Sequence, residues 1–440
     1  LSALYANLFA SSRIVLTMAR DRTLPDRFSL LHDLRGTPVA AILLSGLPML
    51  VLVALLANVA AAGAAASLIF LLTFALVHWT AILARRRAGE RRPPFCLPWF
   101  PLLPVVGGVA CILLGLFQAI EVPEAGLITA GWLAIGGILY LTLFARRARV
   151  VDAAAEGMDP HLSRLRGRNP LVLVPIVNPA SAKGLFAVAN ALVPPGGGRA
   201  LMLSVVNPAR ITDEHTLEDF QAVLGEILNA SIESGFAPEA LTTVASETRK
   251  EISRVARLHR CESLLLGLRR FDAHESAAYI EKIMRSVVSD VVVLRAPHRW
   301  QLDGVKKILV PVGGHPDQST LRARLLSSLC RSGAEEISYL RIVPVGTPAR
   351  ERNLAVREMV QLARDEAPRD CRELVVEADD VVRAVCEQSQ DYDLIILGLQ
   401  HLGRRHRQIG KIPTAIANQT KTPLIFIGER GSGLGALPRR

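Results

Sequence analysis

The sequence predicts a chain of two architectural classes: a membrane all-α first third, followed by two α/β doubly wound domains in tandem. Three observations predict it. Half of the 440 residues are hydrophobic and the mean hydropathy is +0.31, yet the apolar residues are unevenly placed, with long uncharged runs in the first third and short apolar stretches mixed with charge thereafter. Basic residues cluster between the long runs. The last two thirds carry the same succession of short β-branched runs twice.

The expected domains are a transmembrane region at 1–149, a linker at 150–168, α/β domains at 169–300 and 301–430, and a flexible tail at 431–440. The opening LSALYANLFASSRIVLTMARD enters already inside an apolar helical pattern, with no basic head or cleavage site, so it is expected to be the end of a helix in a longer chain and not a signal peptide. Four apolar stretches follow, at 38–57, 65–84, 101–120 and 125–145. Each approaches the about 20 residues that a helix needs to cross the bilayer core. Buried helices of a large soluble protein are also apolar all round, and loop charge decides between the two. Arg13 to Arg35, Arg85 to Arg92 and the tail from Arg146 fall on one side, whereas the connections at 58–64 and 121–125 hold no Lys or Arg. The positive-inside rule then places the basic loops and the carboxy terminus on the cytoplasmic side of the cell (inner) membrane in a multi-pass protein.

The net charge of +11 is explained by these flanking arginines. No basic stripe is interleaved with aromatics, so the lipid bilayer, and not nucleic acid, is the expected partner. The six cysteines have no paired spacing and are expected to be small buried hydrophobes in a reducing compartment. His259, His274 and His315 are scattered, without the nucleophile, base and orienting group of a catalytic site, so no catalytic or metal residue is expected.

Ser11 to Gly46, SSRIVLTMARDRTLPDRFSLLHDLRGTPVAAILLSG, resembles the end of the eighth helix, the next cytoplasmic loop and the start of the ninth helix of the amino acid/polyamine/organocation (APC) permeases. Ser12-Arg13, Met18 to Asp21, Leu24-Pro25 and Thr37-Pro38 stand where that family has its SR, MARD, LP and TP elements. Ser67 to Arg87 and Arg92 to Pro104 are similar to the tenth helix and the proline-rich entry to the eleventh. The resemblance covers about 1–145. It implies the last helices of an inverted-repeat transporter fold, with the first and sixth helices that hold the small-molecule substrate absent and the missing amino-terminal helices as partners. It also makes Ser2 and Asn7 candidates for an ion or substrate pathway, with helix-to-helix glue as the other reading. In the loop motif, Ser12, Arg13, Arg20, Asp21, Pro25, Thr37 and Pro38 serve either as a solvated anchor or in gating. Pro38 fits a first helical position and Thr37 a cap.

In the remaining two thirds, LVLVPIV (171–177), ALMLSVV (200–206), SLLLGL (263–268) and VVVLRAP (291–297) are repeated as KILVPVG (307–313), ISYLRIVP (337–344), LIILGL (394–399) and PLIFIGE (423–429). Helices are predicted at 181–193, 213–235, 320–333 and 353–367. Strands separated by helical patterns predict parallel pairing through crossovers. The opening ILVPV and the LGL strand with its following loop resemble universal stress protein domains, which pair as dimers and in many members bind ATP. That resemblance implies an internal pseudo-dimer, and a homodimer as a candidate assembly. The phosphate loop departs from the family pattern: the first repeat has LRRFDAHESAAYIEK after Gly267, with no further glycine. The second keeps Gly398, Gly403, Gly410 and Lys411, irregularly spaced. These four are the candidate nucleotide or anion loop, ATP or another nucleotide being the only cofactor the resemblance implies. A solvated basic surface near anionic lipid is the alternative.

The function expected is secondary transport of amino acids or related organic cations, regulated or stabilised by the cytoplasmic domains. Two alternatives stay open: a membrane-anchored nucleotide- or signal-binding module without transport, and a chloride-cotransporter-like carrier.

Overall fold

Where no water reaches the backbone, every amide has to find its carbonyl within the segment, and the first third does so with helices. The computed structural model describes residues 2–20, 24, 28, 32, 37–55, 59–87, 98–159, 162, 170–176, 181–193, 198–206, 225, 239–268, 271, 275–297, 300–313, 319–398, 401–402, 406–407 and 410–429. They divide into two units, 1–151 with 164–167, and 152–163 with 168–440.

The first unit comprises α1 (Ser2–Arg20), α2 (Val39–Leu55), α3 (Val59–Arg87), α4 (Leu102–Glu121) and α5 (Pro123–Leu139), the last extended by a π turn, Tyr140–Phe144. Helix α5 opens with Pro123, whose missing N–H costs nothing there, and with Glu124 in its positive first turn. Among the described residues three stretches are long and apolar enough to cross a membrane, Ala60–Arg86, Leu102–Glu121 and Pro123–Thr142. The fourth expected span, 38–57, corresponds to α2, whose 17 described residues contain Pro48 and reach about 26 Å at about 1.5 Å per residue. Only 17, 11 and 11 % of the residues in the three apolar windows are buried. Phe70, Trp79, Phe117 and Leu127 all face outward. Such outward apolar surface fits helices set in hydrocarbon.

Helix α3 packs on α4 and α5, and α1 on α2. Small and polar residues take part in the α3 contacts, as expected where apolar surface supplies no drive between helices. Gln118 Nε2 donates to the Ala64 carbonyl at 2.9 Å, Ser67 Oγ donates to Gln118 Oε1 at 3.3 Å, and Thr129 Oγ1 reaches the Ala65 carbonyl at 3.5 Å. A Cβ at Gly107 would lie 2.7 Å from His78 Nε2, so the imidazole of α3 packs directly on the α4 backbone.

The second unit takes in the end of α6 (Ala145–Met158), then β1 (Leu171–Pro175), α7 (Ala182–Leu192), β2 (Arg199–Val206), β3 (Glu239–Val244), α8 (Thr248–Leu258), β4 (Ser263–Leu268), α9 (Glu275–Ser286) and β5 (Asp290–Arg295). The second repeat has β6 (Lys307–Pro311), α10 (Thr320–Arg331), β7 (Glu336–Val343), α11 (Ala349–Glu366), β8 (Arg372–Glu377), α12 (Val381–Gln388) and β9 (Leu394–Gly398). A two-residue pairing of β10 (His401–Leu402) with β11 (His406–Arg407) leads to α13 (Lys411–Gln419) and β12 (Leu424–Gly428).

Ten strands form one sheet in the order β3-β2-β1-β4-β5-β12-β9-β6-β7-β8. Each half is parallel throughout, and the halves meet at one antiparallel pair, with Leu424 opposite Arg295 and Gly428 opposite Val291. The two repeats therefore form the internal pseudo-dimer that the resemblance implied. Alternate strand residues feed opposite faces. Val172, Val174, Ile308 and Val310 pack under α7, α10 and α11, while Leu171, Leu173, Leu309 and Phe426 pack under α8, α9, α12 and α13. Burial on both faces is why the central strands are continuous apolar runs in the sequence.

Among the described residues each repeat gives the large sheet five strands, one more than the apolar runs revealed. The additional β3, EALTTV, and β8, RELVVE, are the sheet's edges, and their longest apolar stretches are two and three residues, so neither registers as an apolar run. Of the helix expected at 213–235 only residue 225 is among the described residues, and it is helical.

Candidate functional site

Helix α1 sets out the first group of candidate residues. Ser2 and Asn7 are exposed on it. Ser12 is buried and its Oγ donates to the Phe9 carbonyl at 2.8 Å, and the Arg13 guanidinium lies 5.0 Å from the Phe9 ring centroid. Arg20 ends the helix; Asp21 and Pro25 lie outside the described residues. Pro38 is buried just ahead of α2, and its carbonyl accepts the Ile42 N–H at 2.9 Å, while the half-buried Thr37 accepts the His32 N–H at 2.9 Å through its own carbonyl. Those bonds fix the entry into α2.

The second group sits where the sheet order reverses. In the second repeat, β6 and β9 are parallel neighbours, and the crevice at the carboxyl ends of such a pair is where doubly wound sheets take ligands. Gly313 follows β6 and Gly398 ends β9, and a Cβ on either would meet nothing within 4 Å. The chain leaves Gly398, makes the small β10–β11 pairing, and re-enters helix at α13 with Gly410 as its N-cap and Lys411 as its exposed first residue. Gly403 lies outside the described residues.

The first repeat is different at the matching place. Gly267 on β4 corresponds to Gly398, and a Cβ there would lie 2.8 Å from Leu185 Cδ1 of α7. Leu185 thus fills the space that stays open beside Gly398. Only the second repeat keeps room for a ligand between its strand ends among the described residues.

The second repeat also holds a buried polar network that no sequence motif had indicated. Glu366, fully buried at the end of α11, receives Arg322 Nε and Nη2 at 2.5 and 2.7 Å, the Ser319 N–H at 2.6 Å and the Tyr339 hydroxyl at 3.2 Å. One oxygen of Glu429, just after β12, accepts from Ser319 Oγ at 2.7 Å, Thr320 Oγ1 at 3.0 Å and the Leu321 N–H at 2.6 Å. A carboxylate of the chain itself therefore occupies the amino end of α10, as the helix dipole favours. Burial alone would lower the Arg322 pKa, but the Glu366 charge reverses this and holds the guanidinium above its ordinary value. Burial, then the Glu366 charge, pushes the Tyr339 hydroxyl well up. The only advance signal was a serine before a predicted helix; its carboxylate partners, Glu366 and Glu429, are 47 and 110 residues away.

The cysteines divide. Cys261 and Cys330 are buried, and Cys111, Cys371 and Cys386 only half-buried, so the expectation of burial holds for two of the five described.

Residues 1–144 match the family model for amino acid permeases. No curated protein matches the chain. Among solved structures, a universal stress protein from Archaeoglobus fulgidus DSM 4304 is similar at 16% identity and a TM-score of 0.42, covering 60% of this chain and 97% of its own. The cytoplasmic domain of a prokaryotic cation chloride cotransporter is similar at 14% identity and 0.41, with coverage of 60% and 97%. A functionally unknown protein from Pseudomonas aeruginosa PAO1 is similar at 13% identity and 0.41, with coverage of 59% and 92%.

Proposed function

Taking residues 1–144 as an amino acid permease segment, we propose that the protein acts in secondary transport of amino acids or related organic cations across the cell membrane, with its paired α/β repeats as cytoplasmic regulatory domains. The observation that carries this reading is the family match, which spans the same residues as the three membrane-length helices. The basic loops, all on one side by the alternation of spans, support a cytoplasmic carboxy terminus. Uptake of labelled amino acids and of rubidium by vesicles from cells expressing the complete gene product tests it. Amino acid uptake is expected. Rubidium uptake in its place supports a chloride-cotransporter-like carrier, and uptake of neither leaves a membrane-anchored binding module.

A second reading concerns the α/β repeats, and the open space at Gly313 and Gly398 favours it. The crevice of the second repeat takes a nucleotide or another anion, and the filled first repeat takes none. Helix α13 offers its amino end with Lys411 as a cation. Calorimetry with ATP, ADP and AMP on the whole protein is expected to give a saturable heat that Gly398→Leu abolishes. Absence of heat in the unsubstituted protein removes this reading without touching the transport proposal.

A further inference from the structure

The last two turns of α6, Asp152-Ala-Ala-Ala-Glu-Gly-Met158, belong to the α/β unit and are seated in it. Ala153 is 1% exposed and Glu156 2%. Gly157 is buried too, and a Cβ there would lie 2.7 Å from the Arg324 carbonyl oxygen and 2.8 Å from Ser327 Cβ. The two helices touch backbone to backbone, which only a glycine at this crossing allows.

Charge closes the contact. A carboxylate as buried as that of Glu156 requires compensation. Its partner is Arg324 of α10, itself buried, at 3.8 Å; the same guanidinium lies 3.0 Å from Glu262, which precedes β4 in the first repeat. Two turns along α10, Arg331 donates to the Gly157 carbonyl, one of the last carbonyls of α6 that its own helix leaves without an amide. Asp159 acts on the same guanidinium. Met158 packs against the core beneath α7 and α10.

We propose that Asp152–Met158 is a clamp, the joint at which the chain is fastened into the α/β body, with Arg324 tying the entering helix, the second repeat and the first repeat together. These seven residues then move with α10 as one piece. A displacement of α10 is passed to residue 152, and a pull at residue 152 is passed to α10, whose amino end is held by Glu429 and Glu366. The proposal is independent of whether the crevice binds a ligand or the first third transports one.

Hydrogen exchange on the full-length protein in detergent tests it. Amides of 153–158 are expected to exchange at least about 100-fold more slowly than an unstructured peptide, in the same class as α10. Gly157→Leu is expected to accelerate them by about tenfold or more while β5 and β12 keep their protection. Because an added side chain at the crossing can disturb the whole body, Arg331→Gln is the second variant; it removes one donor and adds no bulk. It is expected to accelerate exchange at 155–158 by about threefold to tenfold, the strands being unchanged. Unstructured-like exchange of 153–158 in the unsubstituted protein, or no acceleration in either variant, overturns the clamp.

Discussion

Arg322 and Glu366 are both buried, and each is tolerable only because the other is present. Removing one partner of such a pair leaves a buried charge and costs about 3–5 kcal/mol, whereas replacing both with apolar residues of similar volume is often nearly neutral. Glu366→Gln is therefore expected to lower the midpoint of chemical denaturation strongly, and Arg322→Met with Glu366→Leu to recover most of the loss. Equal destabilisation by the single and double variants would show that the pair acts through its other hydrogen bonds. Cys261 gives a second test. Burial pushes its thiol up to about 11, so the folded state holds a proton that the unfolded thiol, ionising near 9, gives up. Its contribution to stability is complete below pH 9 and is lost as the pH rises towards 11. At pH 8 Cys261 is expected to resist thiol reagents in the native protein and to react in denaturant, as mass spectrometry of labelled peptides will record.

At the scale of elements, Leu185 decides which repeat has open space beside its strand-end glycine among the described residues. Its helix, α7, was legible from the pattern SAKGLFAVANALV, but a periodicity says only that Leu185 faces inward and not which glycine it meets. Leu185→Ala is expected to cost about 2–5 kcal/mol, the range for emptying a packed leucine site, and to give the first repeat the open Gly267 that the second repeat already has at Gly398. Thermal denaturation reads the cost. Helix α3 presents the same lesson in the membrane portion, where Gly107 looks like one of many small residues until His78 is found lying against it. Gly107→Leu is expected to separate α3 from α4, and a cysteine crosslink placed across that contact should then form less efficiently than in the parent protein. The edge strands β3 and β8 escaped notice because these half-exposed strands mix polar residues with short apolar stretches, whereas strands buried on both faces are continuous apolar runs.

For the molecule as a whole, the pairing of β5 with β12 makes one sheet of two repeats. Phe426 opposite Val293 lies at the middle of this joint, both fully buried. The α/β half is expected to unfold in one cooperative calorimetric transition, and Val293→Asp is expected to weaken both repeats together; two separate transitions in the unsubstituted protein would contradict a shared core. The sequence by itself determined the division into apolar helices and α/β repeats, three of the four apolar spans, and the central strands. Those are properties of hydrophobic period and local propensity, which any short window of the chain carries. The tertiary structure alone decided that Leu185 fills one crevice, that Glu429 sits on the amino end of α10, and that Glu156, Arg324 and Glu262 meet. Those contacts join residues 44 to 168 positions apart in pairs such as Arg322 with Glu366 and Arg324 with Glu156. Such distances are closed only when the sheet has formed, because an isolated side chain has no reason to prefer one distant partner over another until packing excludes the rest.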